Sequence, residues 1–260
     1  MGPIATATLT SAPPSAGPTS GDVATEVFHA RTDEGEPIYR IGAAALPEGG
    51  NLLLLRCGDD FSIQLDDEEL MGSTDHVSEE ALATIVAARM PRPEGPVLIG
   101  GLGMGFTLGA ALAAWPAPTP IEVAELLPEV LAWARGPLAH LFGGNLSDPR
   151  TTVTLADIHD VIERAESRYA AILLDVDNGP DGFIRDANDR LYCAWGLRSA
   201  YRALLPGGML AVWSAYRDHG FMARLAEAGF AVEEIILPAF VGSETETHCI
   251  WLACKPVTPA

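Results

Sequence analysis

The sequence predicts an α/β protein in which a largely parallel sheet is flanked by helices and preceded by a small antiparallel β unit. Three observations carry this prediction. From residue 97 onward, apolar strand-like runs alternate with helical patterns. The run Val97–Ile99 meets four glycines, Gly100, Gly101, Gly103 and Gly105, and an apolar helical pattern follows directly. That is the layout of a strand, a tight turn and a helix N-terminus, where glycines let the backbone approach a ligand closely. About twenty residues further on, Ile121–Glu125 ends a second apolar run on a carboxylate, the place in a βαβ unit for an acid that holds the two hydroxyls of a ribose. The glycine turn is therefore expected to bind a nucleoside-containing ligand.

Taken in order, residues 1–25 are rich in Ala, Thr, Ser, Pro and Gly and cannot bury enough apolar surface to order themselves, so a disordered tail is expected. The small β unit is placed at 26–70, with short strands at Ile38–Ile41, Leu52–Arg56 and Phe61–Leu65 separated by turn residues. The remainder, 71–260, is read as the nucleoside-binding domain. It opens with a helix at Ser78–Met90, with Ser78 as the expected cap and Glu79 and Glu80 in the first turn. Strands are then expected near 97–100, 121–125, 151–155, 170–175, 208–214, 231–237 and 247–254, a seven-stranded sheet. Helices are expected near 105–115, 128–142, 157–166, 188–204 and 218–229. No helical pattern separates the last two strands, which predicts an antiparallel closing hairpin.

Composition narrows the function. The chain has 260 residues and a formal net charge of -19, from 35 acids and 16 bases. Nucleic-acid binding is disfavoured, because phosphate neutralisation needs Lys and Arg. An acidic balance suits a cationic small substrate, and it also serves plain solubility. Cys57, Cys193, Cys249 and Cys254 show neither a CxxC nor a zinc spacing, so no metal is expected. Reduced thiols fit a cytoplasmic protein. No apolar run reaches the roughly 18 residues of a membrane span, and no membrane partner is expected.

The ends of the predicted strands supply the chemistry, because ligands of open α/β sheets bind outside the carboxyl ends of the strands. Asp157, in Leu155-Ala156-Asp157-Ile158, can accept a hydrogen bond from an adenine amino group with Ile158 against the ring, and can also cap the next helix. Asp175 directly ends the apolar strand Ile172–Leu174, where a carboxylate can orient and deprotonate an attacking amine.

The segments LMGSTDHVSEEAL (70–82), VLIGGLGMG (97–105), VAELLPEV (123–130), SDPRTTVTLADIHDVI (147–162), YAAILLDVDNGP (169–180) and LYCAWGLRSAYRALLPGGMLAVWS (191–214) form an ordered series. By that series the chain resembles the spermidine synthase family, polyamine aminopropyltransferases built on the Rossmann-like class I S-adenosylmethionine methyltransferase fold. The resemblance implies that Gly101, Gly103 and Gly105 line the methionine-derived chain and ribose of the donor, that Glu125 takes the ribose hydroxyls and that Asp157 and Ile158 hold adenine. It implies that Asp175 prepares the acceptor amine. It also implies that His76 to Glu80 line the acceptor pocket, with His76 and Glu79 as contacts, and that Tyr192 borders it. Members of the family commonly pair, which implies a homodimer.

Two positions depart from the family pattern. Met104 stands where the family carries an acid in the glycine turn, facing the donor's aminopropyl amine. The family's second aspartate after the catalytic one is displaced to Asp177, which is taken as a second catalytic acid. The expected activity is aminopropyl transfer from decarboxylated S-adenosylmethionine to a polyamine, releasing methylthioadenosine. The alternative is methyl or other alkyl transfer from S-adenosylmethionine to a small molecule; a non-catalytic nucleoside-binding protein and a dinucleotide-dependent dehydrogenase are weaker rivals.

Overall fold

A computed structural model of the protein describes residues 26–47, 49–66, 68–90, 92–176, 189–239, 242–243 and 245–257. The expected tail at 1–25 and Asp177 lie outside the described residues.

Five strands open the chain, β1 (Val27–Arg31), β2 (Pro37–Ala45), β3 (Asn51–Cys57), β4 (Asp60–Leu65) and β5 (Glu68–Gly72), and they pair as an antiparallel meander in sequence order. Alternation drives this sheet: Phe61, Ile63 and Leu65 are buried, whereas Ser62 and Gln64 between them are only partly so. Helix α1 (Val77–Arg89) follows. His76, not Ser78, occupies its N-cap position and makes no side-chain cap. Ser78 lies inside the first turn, with its hydroxyl committed elsewhere.

The second sheet has seven strands in the order β11-β12-β10-β9-β6-β7-β8. The chain builds it as β6 (Val97–Gly100), α2 (Phe106–Ala114), β7 (Ile121–Glu125), α3 (Pro128–Arg135), α4 (Ala139–Phe142), β8 (Thr151–Leu155), α5 (Ile158–Glu163) and β9 (Tyr169–Leu174). Then come α6 (Asp189–Tyr192), α7 (Ala194–Ala203), β10 (Leu204–Ser214), α8 (His219–Glu227), β11 (Ala231–Pro238) and β12 (Thr247–Cys254). Strands β8, β7, β6, β9 and β10 are parallel, and β12 and β11 add antiparallel at the edge. The expected α/β sheet and its closing hairpin are thus present.

Side-chain period explains the layers. Val97, Ile99, Ile121, Val123, Ala171 and Leu173 face one core, which also takes Leu54, Ile63, Leu82, Leu108 and Val130 from the first sheet and from α1 to α3. Leu98, Ala124, Ile172, Leu174 and Leu210 face the other core, shared with α5, α7 and α8. The first sheet therefore shares its apolar core with the second sheet. Two expected helices are broken: 128–142 at Gly136, and 188–204 at Cys193. The stretch between the helix expected to 204 and the strand expected from 208 is a bulge inside β10, where pairing moves from Leu204↔Tyr169 to Met209↔Ala171. Among the described residues, no helix is long and apolar enough to cross a membrane.

Candidate functional site

Strand order creates the site. The chain leaves β6 toward β7 and β8, then returns to the other side of β6 as β9. Such a reversal opens a crevice at the carboxyl ends of the strands. The glycine turn follows β6 and Asp175 follows β9, so topology sets them side by side. Gly101 has φ +85°, and a Cβ there would lie 2.5 Å from the Asp175 carbonyl oxygen. Gly105, at the N-terminus of α2 with φ +83°, packs on the Phe142 ring where a Cβ would collide. Both glycines are thus demanded by conformation and by close packing.

A cleft of about 240 Å³ opens above this turn. Gly101, Gly103, Glu125, Asp157, Ile158, Asp175 and Arg190 line it on the side of the seven-stranded sheet, and Leu46, Leu52, Ile63, Leu65, Leu70 and Met71 line it from the first sheet and its turns. Glu125 is 6% exposed. Its Oε2 accepts from the Leu102 N–H at 2.9 Å and its Oε1 from the Leu127 N–H at 2.8 Å. A carboxylate has about four lone-pair sites, so hydroxyl donors can be added to these two amides. Asp157 caps α5 by accepting from the His159 N–H at 2.8 Å, and its other oxygen pairs with Arg190. Ile158 is buried beside it.

At the other end, Asp175 Oδ2 accepts from Thr107 Oγ1 at 2.7 Å, and Thr107 Oγ1 is also 3.2 Å from the Glu79 carbonyl. Glu79 is buried, and burial pushes its carboxyl above the ordinary value against the opposing pull of the Ser78 hydroxyl, its own N–H and His76. Ser78 Oγ lies 2.7 Å from Glu79 Oε2 and 2.8 Å from His248 Nδ1, and it accepts from Trp213 Nε1 at 3.0 Å. Burial holds His248 below its ordinary value, with Glu246 acting in the opposite sense. His76 stacks on Phe106 at 3.9 Å, and its Nδ1 is 2.9 Å from Glu80 Oε1.

No known family profile matches the chain. Over 131 residues, 50% of this chain, it is 28% identical to putrescine N-methyltransferase 3 of Nicotiana tabacum, and that match spans only 32% of the relative's length. Among solved structures, spermidine synthase from Thermotoga maritima superposes with TM-score 0.66 at 17% identity, covering 86% of this chain and 75% of that one. A spermidine synthase in complex with the transition-state analogue AdoDATO superposes with TM-score 0.69 at 18% identity, covering 89% of this chain and 80% of that one. The chain has the spermidine synthase fold.

Within the spermidine synthase fold, the structure gathers Gly101, Gly103, Glu125, Asp157, Ile158 and Asp175 around one cleft. Gly105 serves the turn behind it. Met104 is displaced from the expected ligand face: it is 1% exposed and packs in the core shared with the first sheet, because an apolar side chain gains there from burial. Tyr192 likewise leaves the expected pocket border. It is 4% exposed, edge-on to Phe221 at 5.7 Å in the opposite core, while Arg190 two residues earlier reaches Asp157. His76 and Glu79 do not line the cleft but lie at the start of α1, where the Glu79 carbonyl approaches Thr107. The sequence reading omitted Arg190, Thr107, Ser78 as a hydrogen-bonding centre, His248, and the apolar lining from the first sheet. Apart from the helix, none stands in a motif. A separate group, His159, Asp160 and Glu163 on α5, brings ligand atoms within 4.8 Å of one another outside the cleft lining.

Proposed function

We propose that the protein is an aminopropyltransferase that moves the aminopropyl group of decarboxylated S-adenosylmethionine to a polyamine acceptor and releases methylthioadenosine. One observation carries the reading: the charge balance of the cleft. Among the described residues its ionisable lining is Glu125, Asp157, Asp175 and Arg190, three acids to one base, and Arg190 is paired with Asp157. The described lining is therefore acidic on balance. The decarboxylated donor brings a sulfonium and an ammonium there, both cations. Intact S-adenosylmethionine adds a carboxylate, which the same acids repel.

In this reading residues 71–260 bind and react, and the 26–70 sheet covers the donor. Glu125 takes the ribose hydroxyls, Asp157 the adenine amino group and Ile158 the ring face. The sulfonium is already activated, with a neutral thioether as its leaving group, so positioning and desolvation are the main tasks. Approximation of this kind supplies roughly 7–11 kcal/mol. The attacking nitrogen must be neutral, whereas alkylamines of pKa about 10.4 arrive protonated at pH 7. Asp175, oriented by Thr107, accepts a hydrogen from that nitrogen and aims its lone pair at the carbon. Asp177 is carried in the proposal as a second acid at this end. A cytoplasmic setting and a homodimer belong to the same proposal. The first is supported by four unpaired cysteines, and light scattering on the purified protein tests the second.

A second reading is methyl transfer from S-adenosylmethionine to an amine. It is supported by the likeness to a protein named putrescine N-methyltransferase and by Met104 in place of the turn's acid. Calorimetric titration separates the donors. The decarboxylated donor is expected to bind at least about tenfold more tightly, roughly 1.4 kcal/mol. Tighter binding of the intact donor favours the methyltransferase reading.

A further inference from the structure

His159, the second residue of α5, is buried, with 6% of its side chain exposed. Its ring rests against the Trp195 ring at 4.9 Å. Neither Nδ1 nor Nε2 has a hydrogen-bond partner among the described residues. Buried polar atoms almost always find a partner, and an exception calls for an explanation such as a water or an ion. A neutral imidazole offers one nitrogen lone pair, which takes either a hydrogen-bond donor or a metal.

Two carboxylates stand beside this ring. Asp160 is the next residue, and Glu163 follows at the i+4 spacing that shares a helix face. One ligand atom from each of the three lies within 4.8 Å of the others. Nδ1 is 3.7 Å from Asp160 Oδ1, too far for a hydrogen bond. That separation is near the edge of a ligand tetrahedron around zinc, roughly 3.3 Å. Arg164 holds the other oxygen, Oδ2, at 3.1 Å. Oδ1 is thus left for the ring side, and Arg164 orients the carboxylate as outer partners of metal ligands do. Arg202 on α7 donates to the Glu163 carbonyl and fixes the end of the helix. Asp160 is 43% exposed and Glu163 is exposed, so an ion can enter from solvent past the carboxylates.

We propose that His159, Asp160 and Glu163 bind one divalent transition-metal cation, through Nδ1 and one oxygen of each carboxylate, with water completing its shell. An imidazole with two carboxylates suits zinc and its neighbours better than magnesium or calcium, which prefer oxygen alone. The cysteine spacing that argues against zinc in the sequence does not bear on a ligand set without sulfur. Two carboxylates also outweigh the helix N-terminus, which carries about half a positive charge. The role is structural. α5 begins at Ile158, which lines the cleft with Asp157, so the ion pins the helix that presents both residues. The three ligands lie outside the cleft lining, and the site does not depend on which group the protein transfers.

Titration of the chelator-treated full chain with cobalt(II) tests the site, because cobalt replaces zinc and reports its ligands by absorption. One equivalent is expected to bind per chain with the spectrum of nitrogen and oxygen ligation, and zinc is expected to displace it. Magnesium at the same concentration should not. His159→Phe keeps an aromatic ring against Trp195 and removes both nitrogens. Glu163→Gln changes an exposed side chain and spares the core. Each is expected to weaken binding at least about tenfold. In thermal unfolding, zinc should raise the Tm of the wild type and leave that of His159→Phe unmoved. Undiminished binding in either variant, a sulfur-to-cobalt charge-transfer band accounting for the bound equivalent, or no binding at all overturns the site.

Discussion

Thr107 ties the end of β9 to the start of α1: its Oγ1 donates to Asp175 Oδ2 at 2.7 Å and lies 3.2 Å from the Glu79 carbonyl. This hydroxyl thus helps to orient the carboxylate proposed to receive the acceptor amine. Thr107→Val keeps the shape and removes the donor. Hydrogen bonds to charged groups are worth about 1.5–3 kcal/mol, so kcat is expected to fall about 10- to 150-fold. Thr107→Ser should retain most activity, and donor affinity should barely change. Steady-state kinetics of the two variants check this.

Glu125 is expected to tolerate no isosteric replacement. Its two oxygens accept from two backbone amides, those of Leu102 and Leu127. Glu125→Gln offers a single acceptor oxygen and turns its NH₂ toward the other amide. A buried donor left unsatisfied costs about 1–3 kcal/mol, and a chain of this size loses about 2–4 °C in Tm per kcal/mol. Thermal unfolding together with a donor titration should show both losses at once.

Asp157 and Arg190 separate folding from binding. Asp157→Ala removes the α5 cap, at a cost of about 1 kcal/mol, and removes the proposed adenine contact. Arg190 is 45% exposed in its pair with Asp157, and exposed pairs contribute about 0–1 kcal/mol. Arg190→Ala should leave Tm nearly unchanged. Unfolding curves and methylthioadenosine titrations of the two variants distinguish the roles.

Much of this was legible in the sequence, and the rest was not for identifiable reasons. The central parallel strands, Val97–Gly100 and Tyr169–Leu174, are short apolar runs buried along their whole length, and they need no long-range information. β5 escaped because Glu68 and Glu69 have little strand propensity, and only pairing with β4 draws them into the sheet as its edge. Asp157 and Asp175 could be placed because a carboxylate ending a strand has one obvious outlet. Met104 and Tyr192 could not, since a turn or short helix can send an apolar side chain toward ligand or core, and packing decides. The Ser78 centre joins residues on α1, β10 and β12, and no local pattern signals a contact of such sequence separation.

Glu79 should make stability depend on pH in a defined sense. Burial, its largest influence, raises its carboxyl above the ordinary 4.5. The folded state therefore holds this proton more tightly than the unfolded chain. The resulting stability is fully present below pH 4.5 and is lost as pH rises through the folded value. Glu79→Gln removes the burial of charge and keeps a group that can bond to Ser78. Its Tm should exceed that of the wild type at pH 7, and the two should converge below pH 4.5. Calorimetric scans across that range check the sign.

The most direct test is a mass-spectrometric product assay, with the purified protein offered S-adenosylmethionine or its decarboxylated form, each with a panel of di- and polyamines. Methylthioadenosine and an acceptor heavier by one aminopropyl group, formed only from the decarboxylated donor, is the expected result. S-adenosylhomocysteine and a methylated amine would contradict it.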